Sequence, residues 1–172
     1  MTEEKHEITL TVNGRARTTT VPARRLLSDC LRHDLGFTGT HVGCEHGVCG
    51  CCTVLADGAP VRSCLMFAVS AQRLDITTVE GLARPDGGLS PVQEAFRECH
   101  GLQCGFCTPG FETTITALLE RNPKPHRRRG CGGDLRQPVS LYRLPKHRPL
   151  RAPCRGADPR VPRRLGGPLL SL

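Results

Sequence analysis

GCEHGVCGCCTVLADGAPVRSC, residues 43–64, decides how this chain reads. Cys44, Cys49, Cys52 and Cys64 follow the order Cys-x4-Cys-x2-Cys with a fourth cysteine downstream, the plant-type spacing by which four thiolates hold two irons of a 2Fe-2S cluster. Gly43, Gly47 and Gly50 are read as places where the backbone takes left-handed turns and brings amide N–H groups toward a negatively charged core. A structural zinc site is the alternative, but zinc usually draws on two separate cysteine knuckles, and three cysteines in one tight loop suit that poorly. A disulfide framework is a further alternative. Cys51 leaves the wrong gap to Cys49 and is expected to be a small packed residue. A Rieske arrangement would need two histidines in place of two cysteines. His41 and His46 border the loop, but four well-spaced cysteines already supply the ligands, and His46 is expected to be exposed or bonded to loop backbone.

A second cysteine pair stands in GLQCGFCTPG, residues 101–110, where Cys104 and Cys107 precede Thr108 and Pro109. Thr-Pro predicts an N-cap and first turn, so the pair lies at a helix N-terminus, which favours thiolates or an anionic cluster. Two cysteines do not complete a cluster, and a thioredoxin-like reading would need a βαβ context that is not evident here.

Upstream of the loop, Ile8 to Val12 alternates, Asn13-Gly14 is a hairpin turn and Thr18 to Val21 returns as a second strand. Ala23 to Leu35 reads as a helix with Leu26, Leu27, Cys30 and Leu31 on one face. Thr53–Leu55 and Pro60–Arg62 flank the turn Asp57-Gly58, and Leu74 to Thr77 offers a last strand. From Pro85 the pattern becomes helical, with Asp86-Gly87-Gly88 as linker. Ser90 and Pro91 start one helix with Val92, Ala95, Phe96 and Cys99 on its stripe. Pro109 to Arg121 forms another with Phe111, Ile115, Leu118 and Leu119, and both stripes are expected in the core.

The stretches GTHVGCEHGVCGCCTV, DGAPVRSCLMFA, ITTVEGLA, PVQEAFRECHGLQCGFCTPG and ALLERNPKP together resemble the small iron–sulfur subunit of the molybdenum hydroxylases, the family of xanthine dehydrogenase, aldehyde oxidase and aerobic carbon monoxide dehydrogenase. The resemblance covers about the first 125 residues. It implies an α+β chain: a β-grasp, plant-type ferredoxin-like domain over 1–80, a helical 2Fe-2S-binding domain over 85–125, here partial, and a remaining tail over 126–172. It further implies that Cys44, Cys49, Cys52 and Cys64 hold the cluster farther from molybdenum, that Cys104 and Cys107 give two ligands of the nearer cluster, and that Gln103 lies close to the molybdopterin. The implied role is electron transfer within an oxidoreductase, from a large molybdopterin-binding subunit toward a flavin (FAD) subunit.

The tail departs from that family. The nearer cluster's other two ligands belong to a segment resembling SGNLCRCTGYQNIV, and no Cys-x-Cys follows Cys107. Cys131 and Cys154 are off pattern. Codons for Arg136 to Pro149 can be chosen so that moving one base forward yields GNLCRCTGYQNIV, placing the missing thiolates across the Val139/Ser140 and Leu141/Tyr142 codon boundaries. A single-base frameshift near Pro125 and His126 accounts for this. One 2Fe-2S cluster is therefore expected, the second lacking two ligands. A stand-alone ferredoxin-like carrier and a non-functional frameshifted product are the alternative functions.

Composition divides at the same point. The chain's formal charge is +8; residues 1–125 carry 12 Lys+Arg against 14 Asp+Glu, and residues 126–172 carry 12 against 2, with seven of the 14 prolines. Such a tail reads as disordered. A basic arm for nucleic acid is the competing reading, but neither a reading motif nor interleaved aromatics accompany it, so no nucleic-acid partner is expected. MTEEKHE is charged with no apolar run after it, no stretch is long enough for a membrane span, and eleven cysteines point to metal ligation in a reducing cytoplasm. No nucleophile–base, phosphate-loop or paired-carboxylate pattern stands out, so no catalytic residue is assigned.

Overall fold

Two hairpins and one returning strand build the sheet on which the cysteine loop is mounted. A computed structural model of the chain describes residues 3–123; the segment 126–172 and the frameshift reading that depends on it lie outside the described residues. Strands β1 (Lys5–Val12) and β2 (Arg15–Pro22) pair antiparallel, Lys5 opposite Pro22 and Val12 opposite Arg15. Asn13 and Gly14 join them with φ of 52° and 71°, the doubly left-handed turn that matches strand twist. Strands β3 (Thr53–Ala56) and β4 (Ala59–Arg62) are joined in the same way through Asp57 and Gly58, with φ of 49° and 74°. Strand β5 (Asp75–Thr77) runs parallel to β1 and antiparallel to β3, giving the order β2-β1-β5-β3-β4.

The period of two puts Ile8, Leu10 and Val12 on one buried face, where they pack with Leu27, Cys30, Leu31, Val54 and Ile76. Cys30 is fully buried, a core residue as its pattern predicts. The helix crossing this face starts later than its sequence suggests: α1 (Leu27–Asp29) passes directly into a π turn, Cys30–Asp34. Residues 23–26 do not join it because their backbone is committed elsewhere. The Arg25 N–H donates to Pro22 O at 2.9 Å, and Leu26 forms an antiparallel bridge with Phe67 through Leu27 N–H to Met66 O (2.7 Å) and Ala68 N–H to Arg25 O (2.8 Å).

The helical half begins at α2 (Pro91–Glu98), whose start is a capping box: Gln93 N–H donates to Ser90 Oγ, and Ser90 N–H donates to Gln93 Oε1. Helix α3 (Thr108–Arg121) packs against β3. Its closed face is mostly small or hydroxylated: Gly110, Thr113, Thr114 and Ala117, with Phe111 and Glu112 beside them. Thr113 and Thr114 donate back to Pro109 O and Gly110 O at 2.8 and 2.6 Å, which satisfies the buried hydroxyls within the helix. Ile115, Leu118 and Leu119, expected in the core, are only half-buried, and on α2 only Phe96 is buried. A groove of about 510 Å³ separates the two helices, lined by Gln93, Phe96, His100, Leu102 and Glu112 among others. Among the described residues no third helix lies between the two apolar stripes, and two stripes alone do not close over each other completely. Among the described residues no helix is long and apolar enough to cross a membrane.

Candidate metal centre

The loop from Gly43 to Cys52 leads into β3, and its course is set by three residues in the left-handed region: Glu45, Gly47 and Gly50, with φ of 55°, 80° and 75°. Gly43, expected to turn in the same way, is not among them. Its constraint is space, because a Cβ there would stand 3.2 Å from the Phe106 ring and 3.3 Å from Cys49 Sγ. At Gly47 both reasons apply, since a Cβ would meet Leu65 Cδ1 at 2.5 Å.

Within this loop the Cys49 N–H donates to Cys44 Sγ at 3.4 Å. That N–H, together with those of His46 and Val48, pulls the Cys44 thiol down to about 6 by stabilising its thiolate. Cys64 arrives from the other side. The β3–β4 hairpin doubles the chain back, and Ser63, which begins a single 3₁₀ turn (Ser63–Leu65), is fixed to Cys52 O by its N–H at 3.3 Å and its hydroxyl at 2.7 Å. This brings Cys64 back beside Cys52, both of them buried. Burial, with Cys52 adding to it, pushes Cys64 up to about 12 in the free thiol form.

Backbone bonds thus tie the four cysteines into two pairs, Cys44 with Cys49 through the Cys49 N–H on Cys44 Sγ, and Cys64 with Cys52 through Ser63 on Cys52 O. No three His, Cys, Asp or Glu side chains among the described residues converge as one metal ion would require. Pairs suit a 2Fe-2S cluster, whose two irons each take two thiolates, better than zinc, which draws its ligands to a single tetrahedral point. N–H groups aimed at the sulfurs are the complement such an anionic group needs.

The histidines serve the scaffold. His46 is exposed and hydrogen-bonds Cys44 O through Nδ1, as its sequence context suggests. His41 bonds Phe106 O at 2.8 Å and stacks on the Phe106 ring with centroids 4.8 Å apart. Cys51 is packed as expected, 6 % exposed. Burial and the adjacent Cys49 hold its thiol up at about 12.

In the second motif Cys104 and Gln103 are exposed and Cys107 is half-buried. Cys107 itself is the N-cap of α3, with Thr108 and Pro109 inside the first turn, one residue away from the sequence expectation. Burial, with Cys104 adding to it, holds the Cys107 thiol above its usual range. No further thiol among the described residues joins Cys104 and Cys107 in a ligand set.

Sequence reasoning missed what locks the two motifs together. Helix α3 crosses the first loop so closely that a Cβ on Gly110 would lie 2.2 Å from Gly50 O and 3.1 Å from Cys51 Cα. Phe106 closes over Gly43 from the same segment. Arg62 clamps the loop from β4, donating to Thr53 Oγ1 at 2.7 Å and to Gly47 O at 3.4 Å. The glycine after Thr108-Pro109 was the available signal: a glycine in a helix's first turn is costly unless another backbone must pass close by.

Family models place a 2Fe-2S iron–sulfur cluster binding domain over residues 10–78 and a 2Fe-2S binding domain over 78–135. The chain is 57% identical over 122 residues to the nicotine 6-hydroxylase small subunit of Paenarthrobacter nicotinovorans, spanning 71% of this chain and 73% of that one. It is 61% identical over 114 residues to the caffeine dehydrogenase subunit gamma of Pseudomonas sp. (strain CBB1), spanning 66% and 68%. The chain belongs to the iron–sulfur small subunits of the molybdenum hydroxylases. Among solved structures, quinoline 2-oxidoreductase from Pseudomonas putida 86 superposes with a TM-score of 0.70 at 42% identity, covering 83% of this chain and 93% of that one. Aldehyde oxidoreductase from Desulfovibrio gigas gives 0.66 at 44% identity, covering 72% of this chain and 14% of that much longer one. As a member of this family the chain is an electron-transferring oxidoreductase subunit with 2Fe-2S as its cofactor. The α+β reading, a ferredoxin-like part followed by a helical 2Fe-2S-binding part, holds.

Proposed function

We propose that Cys44, Cys49, Cys52 and Cys64 hold one 2Fe-2S cluster, the first two on one iron and the last two on the other. The observation that carries this is that backbone bonds tie the four cysteines into two pairs, the Cys49 N–H donating to Cys44 Sγ and Ser63, next to Cys64, fixed to Cys52 O. The cluster supplies reversible one-electron storage; the chain's part is to fix the sulfurs, keep the loop backbone aimed at them and shield the site under Phe106 and α3. In this reading the chain carries electrons away from a molybdopterin centre on a large subunit toward an FAD subunit, in the cytoplasm, with Gln103 near the pterin. Nicotine, caffeine and quinoline, which name the relatives, are nitrogen heterocycles, and the complex is proposed to act on a compound of that class through its large subunit.

Cys104 and Cys107 belong to a second cluster that needs two more thiolates. We place these in the shifted reading of codons 136–149, so that 1–80 and 85–125 are the two functional domains and 126–172 is out of frame. Gene sequence across codons 125 and 126 tests this; bases incompatible with GNLCRCTGYQNIV refute it. For the first site the test is anaerobic reconstitution with iron and sulfide followed by reduction and electron paramagnetic resonance. One 2Fe-2S signal that Cys49→Ala abolishes is the expected result. A signal that survives in Cys49→Ala refutes the ligand assignment.

A further inference from the structure

Two arginines on the outer strand β2 carry charge that the described fold does not use. Strand pairing sets Arg15 opposite Val12 and Arg17 opposite Leu10, and residues opposite each other point to the same face, so both arginines rise from the face on which Val12 and Leu10 are buried. Both are exposed. Arg17 is steadied by Phe37, its guanidinium 5.9 Å from the ring centroid. A recess of about 370 Å³ opens here, lined by the two arginines together with Val12, Phe37 and Ala83. The other charged groups on its wall are engaged: Arg84 pairs with Glu94 at 3.1 Å, and Glu80 accepts the Gly39 N–H at 2.8 Å. Among the described residues no ion pair engages Arg15 or Arg17, although residues 1–125 carry 14 Asp+Glu against 12 Lys+Arg. Charges on an outer strand also blunt it against stray pairing, but either sign of charge does that and no recess is needed.

We propose that Arg15, Arg17 and the recess dock an acidic segment of a partner subunit, two of whose carboxylates meet the two guanidinium groups. The electron-transfer reading assigns nothing to this face, and no cysteine lines the recess. Arginines two apart on a strand stand roughly 7 Å from each other, which is also the spacing of alternate residues in an extended chain. The docked segment is therefore extended, with Asp or Glu at alternate positions, each able to take an arginine fork in bidentate geometry, and with an apolar side chain beside them in the recess. The remainder of this chain does not supply it, because residues 126–172 hold 2 Asp+Glu against 12 Lys+Arg.

The test uses the full chain co-expressed with the large and FAD subunits. Hydrogen–deuterium exchange is expected to be slower at residues 15–17 and 81–84 in the complex than in the free chain, with protection in the same complex of a partner segment bearing alternate acidic residues. Arg15→Glu/Arg17→Glu is expected to weaken assembly about tenfold, since two attractions of surface-pair size become repulsions. Arg15→Gln/Arg17→Gln should weaken it less, and added salt should weaken the wild-type assembly. Iron content and melting temperature of the free chain are expected to stay at the wild-type level in both variants. If either substitution destabilises the chain, the exchange measurement, which needs no variant, decides. Wild-type assembly by the Glu variant overturns the proposal and leaves edge protection as the arginines' role. Unchanged exchange at this face overturns it too, as does protection by a second copy of this chain or by a partner segment without acidic residues. A wild-type chain that assembles with neither subunit defeats the subunit reading itself.

Discussion

The two cysteine motifs differ in how much of their surroundings the described chain supplies. Around Cys44, Cys49, Cys52 and Cys64, a sheet, a hairpin and Arg62 converge, and Cys52 and Cys64 are 1 % and 3 % exposed. Around Cys104 and Cys107 there is one helix N-terminus and an exposed thiol. The first site's cysteines are held in place because the loop that carries three of them runs directly into β3 and the β3–β4 hairpin returns the fourth. The second, in the proposed reading, needs two thiolates from outside the described residues. A cluster site is only as stable as the scaffold that pre-positions its ligands.

The widest separation between the two motifs is expected from removing one ligand of each. Cys52→Ala should reduce iron in the reconstituted chain from about two atoms per chain to none, measured by iron analysis and loss of visible colour. Cys104→Ser should leave that iron in place. Equal losses would erase the distinction. Next is the contact that joins the halves. Gly110→Ala puts a Cβ on Gly50 O, a backbone atom that cannot rotate away, and should destabilise the chain by about 1–3 kcal/mol in denaturant unfolding of the holo form. An unchanged midpoint would mean that α3 does not press on the loop.

Smaller effects belong to the helical half alone. Ser90→Ala removes one arm of the capping box and should cost about 0.5–2 kcal/mol, read as weakened amide protection in α2 and unchanged protection in β1. Smaller still is the effect of Glu112, whose carboxyl is raised by burial against a partial offset from Gln93. A carboxyl raised in the folded state contributes stability below its unfolded pKa and loses that contribution as pH rises through the folded value. Glu112→Gln should therefore flatten stability against pH on the acid side and leave the chain more stable near neutrality. A steeper profile would contradict the assignment.

How far the fold could be read in advance depended on whether local chemistry or distant contacts decided each element. Asn13-Gly14 and Asp57-Gly58 fix their hairpins alone, since only left-handed residues close such turns, and Ser90-Pro91 with Gln93 fixes its helix start. The first turn of the expected Ala23–Leu35 helix failed because Leu26 pairs with Phe67, a partner 41 residues away in sequence that periodicity does not register. Ile115, Leu118 and Leu119 were legible as an apolar stripe, but a stripe does not say whether its cover is present. In the site, the cysteine spacing identified the ligands to consider and Cys51 as packed. The roles of Phe106, His41 and Gly110 escaped notice because each acts across the boundary between the two halves, and that of Arg62 because its partners Thr53 and Gly47 are distant in sequence. Gly43 was misjudged because a glycine needed for space and one needed for a left-handed turn look alike in sequence.

The most direct test of the central claim is iron and labile sulfide analysis of the anaerobically reconstituted chain, combined with electron paramagnetic resonance after reduction. The account predicts about two irons and two sulfides per chain and a single reduced 2Fe-2S signal from the Cys44–Cys64 site. A colourless chain that retains no iron would contradict it, as would a signal unaffected by replacing Cys52 and Cys64 together.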